Sequence, residues 1–270
     1  MFKTRFISGA VLVVLAIAIL YVGGYLTGAT MLLLSVGGAM ELLRVYKLHR
    51  SAMGLLAYIF TVAYYALICF SKSEYILLLM VLYLLAILTV YVVTYPKFKD
   101  SDAMVTFVSF FYVSVMLSYV YQIREIKYGG AFVVLIFICS WINDTCAYCV
   151  GVKLGKHKMT PKLSPKKSVE GLIGGLFGAA LVGACYGIFF NAKVYDINNC
   201  PLIFAIVCVL GAGMAVVGDL TASAIKRNND IKDYGKLIPG HGGILDRFDS
   251  MIFTAPVIYY GLYYLIPYFA

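Results

Sequence analysis

Residues 223–249 carry the densest cluster of charge in a sequence that is otherwise mostly apolar. Nine of these 27 side chains are charged, namely Lys226, Arg227, Lys232, Lys236, Arg247, Asp230, Asp233, Asp246 and Asp249. Charge beside lipid is costly, so a cluster of this kind predicts a functional site. Cations and glycine amides suit phosphates, while carboxylates suit the metal ion that accompanies phosphates. We therefore expect phosphate and metal chemistry in this segment.

Asp219, Ser223 and Lys226 precede the cluster at spacings of four and three. Residues so spaced share one face of a helix, here its last turns before the polar loop. Gly218 leaves room for another element to approach the aspartate closely. The alternative interpretation is a structural ion pair between Asp219 and Lys226.

A glycine-rich turn, Pro239-Gly240-His241-Gly242-Gly243, follows. Three glycines free the backbone to turn its amides toward an anion. His241 is either a phosphate donor or a loop-tip residue. The turn is not a Walker loop, because no Gly-Lys-Ser/Thr follows it, and no strand precedes it as in a dinucleotide-binding fold.

Asp246, Arg247 and Asp249 lead into the last apolar run. Two carboxylates three residues apart, beside bound phosphates, predict a Mg²⁺ site, because Mg²⁺ takes one or two carboxylates plus phosphate oxygens. The alternative is that these acids stabilise the N-terminus of a helix.

A second polar group lies upstream of this cluster. Asp144 stands several residues inside an apolar run, so it should face a polar cavity or a cation. Lys166, Lys167 and Ser168, with Glu170, begin the next helix and predict an anion site. Further residues are interpreted as solvated loop lysines (Lys153, Lys156, Lys158, Lys162), an interfacial ion pair (Glu41 with Arg44), ordinary interfacial histidines (His49, His157) and packing cysteines (Cys146, Cys149).

The composition indicates an integral membrane protein. Of 270 residues, 62% are hydrophobic and 13% are charged, with a mean hydropathy of +0.90, whereas a soluble domain carries about 25% charged residues. The run lengths favour helices over a barrel. We predict an all-α polytopic fold with about nine transmembrane helices, at 6–22, 24–46, 52–70, 74–95, 102–122, 130–151, 168–190, 201–225 and 250–268.

The basic residues orient these spans. With the N-terminus in the cytoplasm, 18 of the 22 lysines and arginines fall on the inner side, as the positive-inside rule expects. Both long polar loops are then cytoplasmic and the C-terminus lies outside. The first run begins with Lys3 and Arg5, as a signal peptide would, but we interpret it as a span. The net charge of +9 is matched by an anionic membrane surface and requires no nucleic acid.

One membrane domain over 1–270 is the economical interpretation of this pattern. Residues 1–130 carry few polar side chains within their spans, whereas residues 131–270 hold nearly all the candidate chemistry. We expect the first part to be mainly structural and the second to be catalytic.

The polar segments resemble a known family. The resemblance is carried by Lys226-Arg227, Lys232-Asp233-x-Gly235, Pro239-x-His241-Gly242-Gly243 and Asp246-Arg247-Phe248-Asp249, and upstream by Trp141-x2-Asp144-x2-Ala147-Tyr148 and Ser164-Pro165-Lys166-Lys167-Ser168-x-Glu170-Gly171. Together they resemble the signature of the CDP-diacylglycerol synthase family, also called phosphatidate cytidylyltransferases. The resemblance covers 140–250 and is weak over 1–130.

This resemblance implies the transfer of CMP from CTP to phosphatidic acid, in the bacterial cell membrane and on its cytoplasmic side. It implies a polytopic helical fold, a requirement for Mg²⁺ and a homodimer, and it leaves a second cation such as K⁺ open. It suggests Asp219 and Asp246 as metal ligands, with Asp144 and Asp249 nearby. We expect Lys226, Arg227 and Arg247 to neutralise the substrates.

Two other classes of protein are weighed against this one. A CDP-alcohol phosphotransferase also uses acids and Mg²⁺, but its Asp-Gly-x2-Ala-Arg array is absent from the sequence. An anion transporter would explain buried charge, and it predicts flux of substrate without consumption of CTP.

Overall fold

The computed structural model describes residues 2–194, 197–237 and 242–266, and most of them are helical. The helices are α1 (Phe2–Val22), α2 (Gly24–Val45), α3 (Ala52–Cys69), α4 (Ile76–Val93), α5 (Asp100–Ser109), α6 (Met116–Glu125), α7 (Gly129–Phe137), α8 (Asn143–Leu154), α9 (Val169–Val194), α10 (Cys200–Asn228) and α11 (Leu245–Leu265). A 3₁₀ turn, Ser73–Tyr75, precedes α4, and π-helical turns join α5 to α6 (Phe110–Val115) and α7 to α8 (Ile138–Ile142).

The prediction of an all-α polytopic protein is confirmed. Within the described residues, seven helical segments are long and apolar enough to cross a membrane. Each of the nine predicted spans coincides, within a few residues, with a helix or a pair of helices joined by a π turn. The first and last of them, α1 and α11, are not among the seven, so the count of nine stays a prediction.

The contacts of the chain divide it into two compact units. One unit is formed by residues 1–125 and 231–247, and the other by residues 126–230 and 248–270. The charged segment after α10 therefore belongs to the same unit as the N-terminal helices, although residues 126–230, which precede it in sequence, belong to the other unit.

In the first unit, a glycine pair separates α1 from α2. Gly23 and Gly24 both have positive φ, 73° and 57°, a conformation that glycine adopts without strain. The Arg124 guanidinium donates to the carbonyls of Leu20 and Tyr21 at 2.6 and 3.1 Å. These bonds satisfy carbonyls at the end of α1, which have no partner within their own helix.

Buried hydroxyl pairs join the helices of the first unit. Ser35 of α2 bonds Tyr65 of α3 at 2.8 Å, and Thr61 of α3 bonds Ser114 of the first π turn at 2.7 Å. All four side chains are buried. Such bonds between helices are a common source of cohesion in membranes, where apolar burial between helices contributes little.

In the second unit, α9 packs between α8 and α10 through a stripe of glycines. A Cβ would clash at six of them, Gly171 with Ala147, Gly174 with Val150, Gly175 with Asn143, Gly178 with Cys146, Gly183 with Cys208 and Gly187 with Pro201. Small residues allow the backbones of membrane helices to approach closely. The stripe therefore fixes α8 and α10 against one helix. These two helices carry five of the predicted site residues, namely Asp144 on α8 and Asp219, Ser223, Lys226 and Arg227 on α10.

A two-stranded antiparallel hairpin between α8 and α9 departs from the purely helical expectation. Its strands are β1 (Lys158–Thr160) and β2 (Ser164–Ser168). The amide of Leu163 donates to the carbonyl of Thr160 at 3.2 Å and closes the turn. Successive side chains on a strand point to opposite faces, so the hairpin sends Lys166 and Lys167 in different directions.

Candidate functional site

Three charged side chains from three elements meet in the second unit. The ammonium of Lys167, on β2, lies 2.5 Å from Asp219 Oδ2, on α10. Asp144, in the first turn of α8, interacts electrostatically with both of them. Two acids and a lysine thus form one cluster, which we call the Asp144–Lys167–Asp219 cluster. It brings together three of the residues that the sequence predicts for the site.

The strand geometry explains why Lys167, and not its neighbour, enters the cluster. Lys166 is exposed, whereas Lys167 is half-buried. The next residue, Ser168, is buried, and its hydroxyl accepts from the amide of Gly171 at 3.1 Å. A serine in that position caps the start of α9. The predicted contacts of Lys166 and Ser168 with a substrate phosphate stay predictions.

His157 has a role that its interpretation as an ordinary interfacial residue missed. Its Nδ1 lies 2.6 Å from Glu170 Oε1, and its backbone amide donates to the same carboxylate at 3.2 Å. The carbonyl of His157 accepts from the amide of Val169 at 2.9 Å. These bonds tie the base of the hairpin to α9 and so support the position of Lys167.

The second acid of the cluster lies where α10 approaches α11. Gly218 has no room for a Cβ, because the backbone carbonyl of Asp249 lies against it. The close approach that Gly218 predicts is therefore confirmed, and it brings Asp219 beside the backbone of the second turn of α11. The carboxylate of Asp249 accepts from the amide of Ser250 at 2.8 Å.

The other predicted site residues on α10 and at the start of α11 differ in exposure. On α10, Ser223 and Lys226 are half-buried and Arg227 is exposed, and on α11 Arg247 is exposed. Exposure leaves Arg227 and Arg247 accessible to an anion from solvent. Lys226 takes part in an interaction within the chain.

In the first unit, Asp246 binds backbone amides. Its Oδ2 accepts from the amides of Tyr234 and Gly243, at 2.8 and 3.0 Å, and the residue is only 9% exposed. Gly242, with φ of 87°, lies against the same carboxylate. The amide of Gly243, which the sequence predicts to bind an anion, therefore binds an anion of the chain itself. His241 lies outside the described residues, and phosphate binding by this loop stays a prediction.

Glu41 requires a correction. The sequence suggests an interfacial ion pair with Arg44, but the two carboxylate oxygens accept from the amides of Ile244 and Leu245, each at 3.0 Å. The first amides of a helix lack carbonyl partners within that helix, and here a carboxylate 203 residues away in sequence supplies the acceptor. Glu41 is buried, with 5% exposure, and these two amides are its hydrogen-bond donors.

Comparison with known proteins adds to this geometry. A model of the cytidylyltransferase family matches residues 3–265. The chain belongs to the cytidylyltransferase family. The match extends through both units and includes every charged residue of the two polar groups.

Individual relatives of the chain carry a more specific name. The chain is 32% identical over 162 residues to a phosphatidate cytidylyltransferase of Staphylococcus saprophyticus, covering 60% of each chain. It is 30% identical over 174 residues to the protein of that name from Staphylococcus aureus, and 31% over 172 residues to that of Staphylococcus epidermidis, covering 64% of each chain. The matched part thus spans less than two thirds of these relatives' length.

The carboxylates of the chain are of the kind that suits a magnesium ion bound together with phosphates. Within 2–194, 197–237 and 242–266, no group of three or more His, Cys, Asp or Glu is arranged to hold a metal ion. Mg²⁺ needs only one or two protein carboxylates when phosphates supply other ligands. Asp219, with Asp144 nearby, offers oxygen donors of the preferred kind.

Proposed function

We propose that the chain transfers CMP from CTP to phosphatidic acid, giving CDP-diacylglycerol and pyrophosphate. The observation that carries this proposal is the Asp144–Lys167–Asp219 cluster in a membrane protein of the cytidylyltransferase family. The names of the staphylococcal relatives and the signature between residues 140 and 250 support the same substrate pair.

The proposed reaction needs charge stabilisation more than proton transfer. An oxygen of the phosphatidic acid phosphate attacks the α-phosphorus of CTP, and the bond from that phosphorus to the oxygen bridging to the β-phosphate breaks. The lipid phosphate is already anionic, so no base has to activate it. Pyrophosphate leaves with the negative charge, which preorganised cations and amides stabilise in the transition state.

The cations of the chain have distinct tasks in this scheme. Lys167 is held beside Asp219 and neutralises incoming phosphate, while Lys226, Arg227 and Arg247 offset the charge of the two substrates. The remaining phosphate contacts of the proposal come from Lys166, Ser168, Ser223, His241 and Gly242, while the amide of Gly243, also predicted for this role, donates to Asp246.

The proposal includes Mg²⁺, with Asp219, Asp246 and Asp249 as the carboxylates that would hold it and Asp144 beside them. When bound, it would withdraw charge from the phosphate oxygens. Since Oδ2 of Asp246 already accepts two amides, a metal contact from this residue would use Oδ1. A second cation such as K⁺ is included in the test.

The proposed setting is the bacterial cell membrane, with the charged loops on the cytoplasmic side and two copies of the chain forming a homodimer. The distribution of lysine and arginine supports this orientation. The cytoplasm is also where the nucleotide substrate is available. An opening between helices toward the lipid would admit the acyl chains.

The test is transfer of label from CTP to lipid by the purified chain in detergent with phosphatidic acid. We expect label from [α-³²P]CTP to enter the lipid phase when Mg²⁺ is present, and label from [γ-³²P]CTP to remain in water. Parallel reactions with dCTP, UTP and ATP measure base selectivity, and reactions with and without K⁺ test the second cation. Movement of an anion across proteoliposomes without consumption of CTP would instead favour a transporter.

A further inference from the structure

Glu41 belongs to none of the segments that carry the family signature, yet it holds one of them. Its carboxylate accepts two amides at the start of α11, one on each oxygen. Those amides belong to Ile244 and Leu245, which immediately precede Asp246 and Arg247. A carboxylate here also opposes the partial positive charge at the N-terminus of α11.

The surface of α2 around Glu41 is shaped to receive this segment. Ile244 lies against Gly37, and Leu245 against Gly38, where a Cβ would come within 3.3 Å of Leu245 Cδ2. Both side chains are at least 95% buried. Gly37 and Gly38 therefore leave a shallow depression on α2, one turn before Glu41, which Ile244 and Leu245 fill. The carboxylate of Glu41 holds these two residues there by accepting hydrogen bonds from their amides.

Two glycines of the segment surround the same carboxylate. A Cβ on Gly243 would lie 2.5 Å from both oxygens of Glu41, and a Cβ on Gly235 would also clash with it. The segment thus folds around Glu41 from two sides. Asp246 then joins these two sides, because its Oδ2 accepts from the amides of Tyr234 and Gly243.

The geometry points to Glu41 as a positioning residue for cytidylyl transfer: it docks residues 242–247 on α2, with Gly235 packed against the same carboxylate, and so fixes where Asp246 and Arg247 are held. The inference rests on the proposed function. It assigns to the N-terminal helices a part in the reaction, since α2 supplies the acceptor that sets the position of the signature segment.

The test compares Glu41→Gln with Ser35→Ala in the full-length chain in detergent. Glutamine keeps the shape but offers one good acceptor in place of two. Ser35 lies on the same helix and loses a buried hydrogen bond to Tyr65 of α3 rather than to an amide of Ile244 or Leu245, so it controls for a general loss of stability. If Glu41→Gln does not yield folded protein, Glu41→Asp, which keeps the charge and shortens the reach, is judged by the same criteria.

Two readouts are taken for each variant. Amide hydrogen exchange should become about tenfold faster or more at Ile244 and Leu245 in Glu41→Gln, because their acceptor is weakened, and stay unchanged there in Ser35→Ala. In the label-transfer assay, kcat of Glu41→Gln should fall about tenfold or more with KM for CTP within about threefold, since misplacement of reacting groups acts on the chemical step.

Unchanged exchange at Ile244 and Leu245 in Glu41→Gln overturns the docking. Faster exchange with a kcat equal to that of Ser35→Ala overturns the role in the reaction. Absence of label transfer by the parent chain would defeat the proposed function, and the role of Glu41 in that reaction with it, while the exchange readout would still decide whether Glu41 docks the segment.

Discussion

The two units use carboxylates in different ways. In the second unit, Asp219 faces the ammonium of Lys167, a cation carried on a flexible four-carbon stem. In the first unit, Asp246 and Glu41 accept from backbone amides, which can move only if the backbone moves. A lysine is able to exchange a carboxylate for a phosphate, whereas the amide contacts keep a loop in one conformation. Under the proposed function, Asp219 therefore serves substrate binding, whereas Asp246 and Glu41 hold the loop.

Loss of Asp219 should have the largest effect on activity. We expect Asp219→Ala to reduce label transfer about 1,000-fold, because it removes a carboxylate from the site of charge stabilisation. The protein should still insert and purify. Asp100→Ala, which removes an exposed acid from α5, is the control and should retain activity. Substantial activity in Asp219→Ala would show that this carboxylate of the second unit is not required for the reaction.

The hairpin lysines should show a graded response. Lys167→Met should lower kcat/KM about 100-fold, because it removes a cation held beside Asp219. Lys166→Ala should act mainly on KM and cost about tenfold or less, and Lys162→Ala, on the exposed turn, should change little. Steady-state kinetics with CTP as the varied substrate measure the series. Equal losses in all three variants would mean that the hairpin acts only as a positively charged surface.

Removing a carboxylate should lower the stability of the protein more in the first unit than in the second. Asp246→Ala leaves two buried amides without their acceptor, which costs about 1–3 kcal/mol. Asp219→Ala removes one carboxylate beside Lys167, and because Asp144 remains to offset the charge of that lysine, we expect a smaller cost. We expect the thermal unfolding midpoint in detergent to fall clearly further for Asp246→Ala. The reverse order would contradict the assignment of roles.

The smallest effect is expected from crowding Glu41. Gly235→Ala places a Cβ against the Glu41 carboxylate, and we expect kcat to fall about tenfold as the docked segment shifts. Gly213→Ala is the matched control, because its nearest neighbour would be Leu176 Cδ2 at 3.9 Å, an ordinary contact. If both alanine variants have the activity of the parent chain, the fit around Glu41 is looser than these distances indicate.

Much of the helical framework follows from hydropathy. Long apolar runs must satisfy their backbone within helices, so the nine predicted spans match helices closely. The hairpin around Lys162 was not predicted, since its two short strands are polar and give no alternating pattern. The π turns were not predicted either, because a shift from an i−4 to an i−5 hydrogen bond has no clear signature in composition.

For the candidate site, the sequence predicts residue types better than it predicts which residues are in contact. Asp144 was identified because an acid within an apolar run is expensive. Its neighbours Lys167 and Asp219 come from separate elements, and a single sequence does not state which distant residues meet. The same reasoning applied to Glu41, an acid one turn after Gly37 and Gly38, would have predicted a docking role, but its nearness to Arg44 favoured an ion pair.

Binding of CTP with Mg²⁺ to Asp219→Ala and to Glu41→Gln, measured by isothermal titration calorimetry against the parent chain, tests the division of roles most directly. The account predicts that Asp219→Ala binds the nucleotide at least about 30-fold more weakly, while Glu41→Gln binds within about threefold of the parent. Nucleotide binding that survives in Asp219→Ala and is lost in Glu41→Gln would contradict it.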